Sequence, residues 1–279
     1  MNEDHKENQD QGHMEVKIPK LISMGDSAVL IEFDQRIDPE IHVQVRSCLI
    51  QLEAQAFPGM LECVPAYASI TVHYDPIVVM RDVSGAFEMC SGCDEGLDRS
   101  AQYVSPSQRV RSYITALLGK SSQFQREEPR SITIPVWYGG EAGPDLEEVT
   151  RHTGLSAEDV IREHTTPEYT VYMIGFSPGF PYLGGMNQRI ATPRRAAPRT
   201  QVPAGSVGIA GGQTGVYPQT TPGGWQIIGR TPLQLFNPLV KEPSLLQAGD
   251  RVRFQPISEK EYRSANIRSV SLFQGGGEQ

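Results

Sequence analysis

The chain has 279 residues and a mass of 30.8 kDa, which is long enough for two domains with hydrophobic cores. Its net charge of −8 and pI near 5.3 argue against nucleic acid as the main partner. No apolar run reaches the length of a membrane span, and the polar N-terminus is unlike a signal peptide. Four cysteines without a secretory signal indicate reduced thiols, so we expect a cytoplasmic protein.

The first half of the chain predicts a small α+β sandwich over residues 18–120, preceded by a disordered tail at 1–17. Alternating apolar residues indicate strands, and apolar residues at a spacing of three and four indicate helices. In chain order we expect strands at 21–23 and 28–33, a helix from Asp38-Pro39 to about Ala56, strands at 61–65 and 69–74, and a helix at 109–118. Helices packed on one sheet face give the α+β class.

Residues 83–107 are small, polar and acidic, and they are interpreted as a loop or insertion of unassigned function. This stretch contains a Cys-x-x-Cys pair, Cys90 and Cys93. Zinc normally needs four ligands, and the sequence offers neither a second pair nor a nearby His-x-x-x-His. A redox role would need a thioredoxin-like context, which is missing. We therefore predict no metal site.

The second half predicts a β-rich domain over residues 131–270, joined through a charged linker at 121–130. Short strands separated by Gly/Pro turns favour a barrel or a sandwich. The expected elements are a strand at 131–138, helices at 145–152 and from Ser156, strands at 169–176, 207–210, 225–229, 233–236 and 251–255, and a helix at 258–266. Ser258 and Glu261 have the spacing of a capping box.

One long segment of this acidic chain is purely positive. Between Tyr169 and Lys241 there is no Asp or Glu, although the chain carries 33 of them. The segment also holds five arginines and many turn-forming glycines and prolines. Guanidinium groups and exposed backbone N–H groups are the donors that bind anions. Because the segment has neither carboxylate nor histidine, it offers no side chain for general acid–base chemistry.

Three phrases in this segment are specific enough to indicate a family. They are GFSPGFPYLGGM (175–186), TPRRAAPRTQVPAGSVGIAGGQTGVYP (192–218) and TPGGWQIIGRTPLQLFNP (221–238). They resemble the KipI family, the B subunit of bacterial 5-oxoprolinase, also described as allophanate hydrolase subunit 1-like. Weaker likeness at GDSAVLIEF (25–33) and SITVHYDP (69–76) extends the resemblance over roughly residues 18–258.

The resemblance implies an α+β N-terminal domain followed by a cyclophilin-like β-barrel. It further implies a subunit of an enzyme that uses ATP to open 5-oxo-L-proline to L-glutamate together with an A and a C subunit. The B and C subunits look like two halves of one carboxyltransferase-type module, as found fused in urea carboxylase. ATP would be bound on a partner subunit or in an unusual way, because no phosphate-loop motif is present. The alternative role in the family is inhibition of a sporulation sensor histidine kinase.

Nine residues of the acid-free segment are the candidate substrate site. Arg194, Arg199 and Arg230 are expected to bind a carboxylate or phosphate, unless they pair with acids elsewhere in the fold. Phe176, Phe180 and Tyr182 would form an apolar lid against a ligand or a partner subunit, or pack on their own barrel. The neutral donors and acceptors are Gln213, Thr214 and Tyr217. No catalytic base is assigned, so proton transfer is expected to come from a partner chain.

Overall fold

The computed structural model of the chain describes residues 19–36, 38–87, 104–119 and 129–265. The expected N-terminal tail, the Cys90–Cys93 pair and most of the expected linker lie outside these ranges. Two compact units divide the chain, Met1–Gln123 and Phe124–Gln279. None of the helices described is both long enough and apolar enough to cross a membrane.

In its described residues, the first unit contains a four-stranded antiparallel sheet and three helices. The sheet order is β1-β2-β4-β3. The elements are β1 (Lys20–Ser23), β2 (Ala28–Glu32), α1 (Pro39–Ala54), β3 (Met60–Pro65), β4 (Ser69–Tyr74), α2 (Pro76–Arg81) and α3 (Pro106–Gly119). Apolar residues of α1, α3 and the inner face of β2 and β4 form one buried core. The helices and strands predicted for this unit are confirmed within a few residues, but α2 was missed.

Helix α2 is too short to be predicted from the spacing of apolar residues. It has only six residues, PIVVMR, which is too few for an apolar stripe. Its start is fixed by Asp75, whose side chain accepts hydrogen bonds from the backbone N–H groups of Ile77 and Val78. Pro76 then occupies the first turn, where a missing N–H costs nothing.

The second unit is a closed seven-stranded barrel in the order β10-β7-β6-β13-β5-β12-β9, with a separate two-stranded ribbon of β8 and β11. Only the β5–β13 pair is parallel; the other barrel pairs are antiparallel. The elements are β5 (Ser131–Tyr138), α4 (Leu146–Thr153), α5 (Ala157–Thr165), β6 (Tyr169–Ile174), β7 (Pro181–Gly184), a 3-10 turn (Gln188–Ile190), β8 (Arg199–Val202), β9 (Ser206–Ala210), β10 (Gln213–Val216), β11 (Thr221–Gly223), β12 (Gln226–Arg230), β13 (Arg251–Pro256) and α6 (Glu259–Ser264).

The expected fold class, an α+β unit followed by a β-barrel, is confirmed. The capping box of Ser258 and Glu261 is present at α6. The predicted strand at 233–236 is wrong, because this segment makes only an isolated bridge between Phe236 and Ser244. Four strands were not predicted: β7, β8, β10 and β11. Each has three or four residues and contains glycine, proline or polar residues, so no alternation could develop.

Candidate functional site

A single carboxylate from outside the acid-free segment organises two of its arginines. Asp145 accepts hydrogen bonds from Arg199 Nη1 and Nη2 and from Arg195 Nη1, each at 2.7 Å. The backbone N–H of Ile227 on β12 donates a fourth bond to the same carboxylate, also at 2.7 Å. The Asp145 side chain is 4% exposed, whereas those of Arg199 and Arg195 are 25% and 35% exposed, so the cluster is part-buried. The hydrogen bonds to Asp145 are the main cause of the raised pKa of the Arg199 guanidinium.

Asp145 makes these contacts instead of capping the helix that it precedes. It is the N-cap residue of α4, but its side chain makes no hydrogen bond to the helix. Such a cap typically contributes about 1 kcal/mol. One carboxylate now faces two guanidinium groups, which leaves a net positive charge on the cluster. Sequence reasoning missed this residue, because the pattern around it predicted a helix start and nothing more.

Arg194 differs from its neighbours in having no carboxylate partner among the described residues. Its side chain is exposed, and its charge acts on the phenol of Tyr217. Burial raises the pKa of Tyr217, while a hydrogen bond with the Trp225 backbone and the charges of Arg194 and Arg199 oppose that rise. The Tyr217 hydroxyl therefore lies near two guanidinium groups and stays protonated as a donor at neutral pH.

The hydroxyl of Tyr217 is fitted closely against a glycine. A Cβ at Gly223 would lie 2.4 Å from that oxygen, a distance that no side chain could accept. The next glycine, Gly224, has open space by comparison, since its nearest neighbour would be Pro198 Cγ at 3.6 Å. Gly223 on β11 is thus required for the position of the Tyr217 hydroxyl.

Under these polar groups lies a cluster of aromatic rings centred on Phe180. Its ring centroid is 5.1 Å from that of Tyr182, 5.4 Å from Tyr217 and 5.5 Å from Trp225, all edge to face. Phe180, Tyr217 and Trp225 are 2%, 2% and 6% exposed. Edge-to-face rings in such contact stabilise one another beyond the area they bury. These residues form a rigid apolar floor, and Phe180 packs on its own barrel.

Phe176 contacts this aromatic cluster but, unlike its buried members, it is exposed to solvent. Its ring is 5.5 Å from Phe180, yet the residue is 66% exposed. It has φ of +67°, and within the described residues no other non-glycine residue has a positive φ. A side chain in this left-handed region costs roughly 1–2 kcal/mol. The Ser177 hydroxyl next to it is buried and has no hydrogen-bond partner.

Thr214 lies inside the barrel, away from this surface. It is fully buried, and its hydroxyl donates to the Gly208 carbonyl at 3.0 Å. The same oxygen lies 2.9 Å from His164 Nε2, and His164 Nδ1 lies 2.8 Å from the Tyr138 hydroxyl. Since Thr214 already donates its proton, His164 must carry its hydrogen on Nε2. Burial lowers the pKa of His164 to about 3, so the imidazole is neutral.

The two remaining predicted residues have modest roles in the structure. Arg230 Nε donates to the Ala204 carbonyl at 2.8 Å, which ties the end of β12 to the turn before β9. Gln213 is half-buried at the start of β10 and pairs in register with Ala210. Neither residue is part of the Asp145 cluster. The predicted set is thus divided between the arginine-rich face, an aromatic cluster and the barrel interior.

A cavity of about 390 Å³ lies elsewhere on this unit, at the start of α4 and α5. Its walls include Gly139, Gly143, Glu147 and Thr150, and none of the nine predicted residues lines it. Glu147 is its one charged residue, which disfavours an anionic ligand. In the described parts of the chain, no group of three or more His, Cys, Asp or Glu residues is placed to hold a metal ion.

The barrel with its arginine-rich face defines the class of protein. The chain belongs to the family described as carboxyltransferase domain, subdomain C and D, whose model matches residues 19–246. The fold is shared with the urea amidolyase of K. lactis, with a TM-score of 0.61 over 90% of this chain and 16% of that chain. Their sequence identity is 18%, so this likeness concerns the fold alone.

Within that class the chain is similar to the B subunits of 5-oxoprolinases. It is 56% identical to the one from Escherichia coli O157:H7, over 85% of this chain and 95% of that protein. It is 47% identical to the one from Bacillus subtilis (strain 168), over 86% and 94% respectively. The solved structure of TTHA0988 matches with 32% identity and a TM-score of 0.65. The match covers 83% of this chain but only 40% of TTHA0988, which is a longer polypeptide. The resemblance inferred from the three sequence phrases is confirmed.

Proposed function

We propose that this chain is the B subunit of a cytoplasmic, ATP-dependent 5-oxoprolinase, which opens 5-oxo-L-proline to L-glutamate together with A and C subunits. The proposal draws on the 47% and 56% identical relatives, which are named as the B subunits of 5-oxoprolinases. The observation that carries it on this chain is Arg194, a cation without a carboxylate partner among the described residues, beside the Tyr217 hydroxyl.

The substrate is a five-membered lactam with one carboxylate. Arg194 can bind that carboxylate, since a guanidinium–carboxylate pair is among the strongest hydrogen-bonded contacts. Tyr182 is half-buried and offers a phenol hydroxyl beside it, while the buried rings of Phe180 and Tyr217 pack against Tyr182 or Phe180 and support this surface. Gln213 and backbone N–H groups of its glycine-rich turn are further candidates for stabilising an oxyanion. A phosphorylated form of the substrate would use the same donors.

Arg199 and Arg195 have a supporting role in this scheme. Asp145 uses both Nη groups of Arg199 and one of Arg195. Arg199 is therefore largely occupied by Asp145, whereas Arg195 Nε is buried without a hydrogen-bond partner in the described part of the chain. The net positive charge of the two arginines still favours an anion nearby. This arrangement supports Arg194, rather than Arg199, as the arginine that contacts the substrate.

Proton transfer and ATP binding fall to other subunits in this proposal. Two titratable side chains, Asp145 and His164, contact the predicted residues Arg199 and Thr214, and neither is free to act as a general base. Asp145 already accepts four hydrogen bonds, and His164 is buried in the barrel with its pKa lowered to about 3. A general base has to be accessible and to titrate near the working pH. The chain therefore forms half of a site that a partner completes.

The test is kinetic and uses the reconstituted enzyme of A, B and C subunits. Arg194→Ala should lower kcat/KM for 5-oxoproline at least tenfold, mainly through KM, with an unchanged melting temperature, because the side chain is exposed. Arg194→Lys keeps the charge and should retain part of the activity. Arg151→Ala, which removes an exposed arginine paired with Glu148, is the matched control and should behave as wild type.

Two results would overturn the proposal at different levels. Unchanged kinetics in Arg194→Ala would remove this residue from the site while leaving the enzyme assignment intact. Activity from the chain alone, or a reconstituted mixture without ATP-dependent activity, would reject the assignment itself. The alternative role, inhibition of a histidine kinase, rests on the family resemblance, and no feature of the described site favours it.

A further inference from the structure

Three large hydrophobic residues in the described part of the barrel unit are exposed to solvent. Among its described residues, the exposed ones are Phe176 at 66%, Leu239 at 91% and Val240 at 50%. Phe176 is far in sequence from the other two, yet the two loops that carry these three residues are in contact at Gly179 and Phe236. Exposed apolar residues that gather in one place mark an interaction site more often than scattered ones do.

The two loops touch at their bases. Gly179 in the first loop packs on Phe236 at the start of the second, and a Cβ at Gly179 would lie 2.8 Å from Phe236 Cβ. Its positive φ of 81° also favours glycine, so close contact and backbone conformation both depend on this residue. The loops that carry Phe176 and Leu239 thus leave the barrel side by side.

Both loops are fixed by hydrogen bonds within themselves. In the first, Gly175 N–H donates to the Phe180 carbonyl and Phe180 N–H donates to the Ser177 carbonyl, each at 3.0 Å. In the second, Asn237 N–H donates to the Pro243 carbonyl at 2.7 Å, and Leu239 N–H donates to Asn237 Oδ1 at 3.0 Å. The exposed side chains are therefore held out on preorganised turns. Preorganisation lowers the entropy lost on binding.

The conformation of Phe176 is unfavourable for the isolated barrel, because its ring is exposed and its backbone is strained. A phenylalanine can bury roughly 200 Å², and this one leaves most of its surface in water while its backbone adopts the left-handed region. Strain of this kind persists where function requires it. Aromatic side chains, including phenylalanine, are enriched in the buried centre of protein–protein interfaces.

The charge of the surrounding segment favours a different chain over a second copy. Of the cations between residues 169 and 241, Arg194, Arg230 and Lys241 have no carboxylate partner among the described residues. A symmetric contact between two copies would bring the same positive segments together, which is unfavourable. A longer polypeptide carrying the same module is also known, since this chain matches only 40% of TTHA0988.

We propose that Phe176, Leu239 and Val240 form a docking face for the C subunit, which would present an apolar groove with an acidic rim. The inference rests on the proposed function, because it takes its partner from the same complex. Phe176 then acts as an anchor in the interface instead of a substrate contact. The adjacent arginine face would be completed by the docked partner.

The experiment uses biolayer interferometry to measure the affinity of the full chain for purified C subunit, at 50 and 300 mM salt. Phe176→Gly and Leu239→Asp should each weaken the Kd at least tenfold. Val83→Asp is the matched control, because Val83 is 96% exposed and lies in the other unit; its Kd should stay within twofold of wild type. Wild-type affinity should fall at the higher salt, as expected for opposite charges.

Each outcome decides the proposal. Wild-type affinity in both face variants, or no binding of the wild type to the C subunit, overturns it. Sedimentation of the chain alone as a dimer that Leu239→Asp dissociates would assign the face to self-association and overturn it as well. Oxoprolinase activity of the three-subunit mixture is measured in parallel. If the C subunit binds and the face variants weaken its Kd, but the mixture has no oxoprolinase activity, the docking face is supported and the proposed function is rejected. If the mixture is active and the face variants bind the C subunit as tightly as wild type, the proposed function is supported and the docking face is rejected.

Discussion

Asp145 and Arg199 form a two-point ion pair at the edge of the barrel. Arg199 Nη1 contacts Oδ2 and Nη2 contacts Oδ1, both at 2.7 Å. The side chains are 4% and 25% exposed, so water screens the pair little. Arg195 adds a second positive charge to the same carboxylate. The pair therefore connects the start of α4, strand β8 and the arginine-rich loop before it.

Replacing Asp145 with Asn should strongly destabilise the barrel unit. The change would leave Arg195 and Arg199 as neighbouring charges without a carboxylate. Losing charge-assisted hydrogen bonds of this kind typically costs about 1.5–3 kcal/mol, because Arg195 and Arg199 are themselves 35% and 25% exposed. Urea unfolding followed by tryptophan fluorescence measures the loss, because both tryptophans of the chain, Trp137 and Trp225, lie in this unit. A decrease below about 1 kcal/mol in the free energy of unfolding would contradict the prediction.

The control for that experiment is an exposed ion pair of the same unit. Glu148 and Arg151 pair on the surface of α4, with side chains 47% and 69% exposed. Exposed pairs contribute about 0.5 kcal/mol or less. Glu148→Gln should therefore leave the unfolding midpoint almost unchanged. The comparison separates the effect of burial from the effect of removing a charge.

Stability of the barrel unit should fall with decreasing pH because of His164. Burial lowers its pKa to about 3 from 6.5. Between these values the unfolded chain binds a proton that the folded chain excludes, so the stabilisation present above pH 6.5 is lost as the pH falls. The expected loss is about 2 kcal/mol at pH 5 relative to pH 7.5. Urea unfolding at several pH values measures it.

The variant His164→Gln separates this contribution from those of the carboxylates. It should be less stable than wild type at pH 7.5, since the Tyr138 and Thr214 hydroxyls lose their partner. Its stability should nevertheless depend less on pH between 6.5 and 5. If wild type and variant show parallel pH dependence, His164 does not titrate in the way the burial implies.

Much of the fold could be predicted from local patterns. Strands such as Ser69–Tyr74 and Ser131–Tyr138 were found because alternation or a continuous apolar run extends over six residues or more. The short strands at Pro181–Gly184 and Arg199–Val202 were missed, since four residues carry no period. The reverse error at 233–236 has the same origin: LQLF alternates, but the chain there pairs only at Phe236.

The acid-free run of the candidate site could be recognised from the sequence, but the contacts that its residues make could not. A long run without carboxylates directed attention to Arg194, Phe180 and Tyr217, which are neighbours in the structure and whose part in binding stays a prediction. Asp145 could not be found in this way, because it lies 54 positions from Arg199 and resembles an ordinary helix cap. Thr214 was predicted as a neutral donor or acceptor of the substrate site, but it is buried inside the barrel beside His164, a contact that depends on barrel closure.

Gly223→Ala should displace the Tyr217 hydroxyl and weaken the proposed site. The new methyl group would lie 2.4 Å from that oxygen. Overpacking of this kind typically costs about 1–3 kcal/mol. Gly224→Ala is the matched control, since its methyl group would meet Pro198 at an ordinary 3.6 Å. Thermal unfolding and the kinetics of the reconstituted enzyme should show a defect in the first variant and none in the second; equal behaviour would mean that Tyr217 adapts freely.

Phe176→Gly should be more stable than Phe176→Ala, although glycine usually destabilises a chain relative to alanine. Both variants remove the same ring, so their difference isolates the backbone. At φ of +67° a Cβ costs roughly 1–2 kcal/mol, which exceeds the entropic cost of glycine in the unfolded chain. Urea unfolding should place the glycine variant about 0.5–1 kcal/mol above the alanine variant. The same two substitutions at Leu239, which is exposed but has no positive φ, should show the reverse order. If the alanine variant is the more stable one at both positions, Phe176 does not hold a strained backbone.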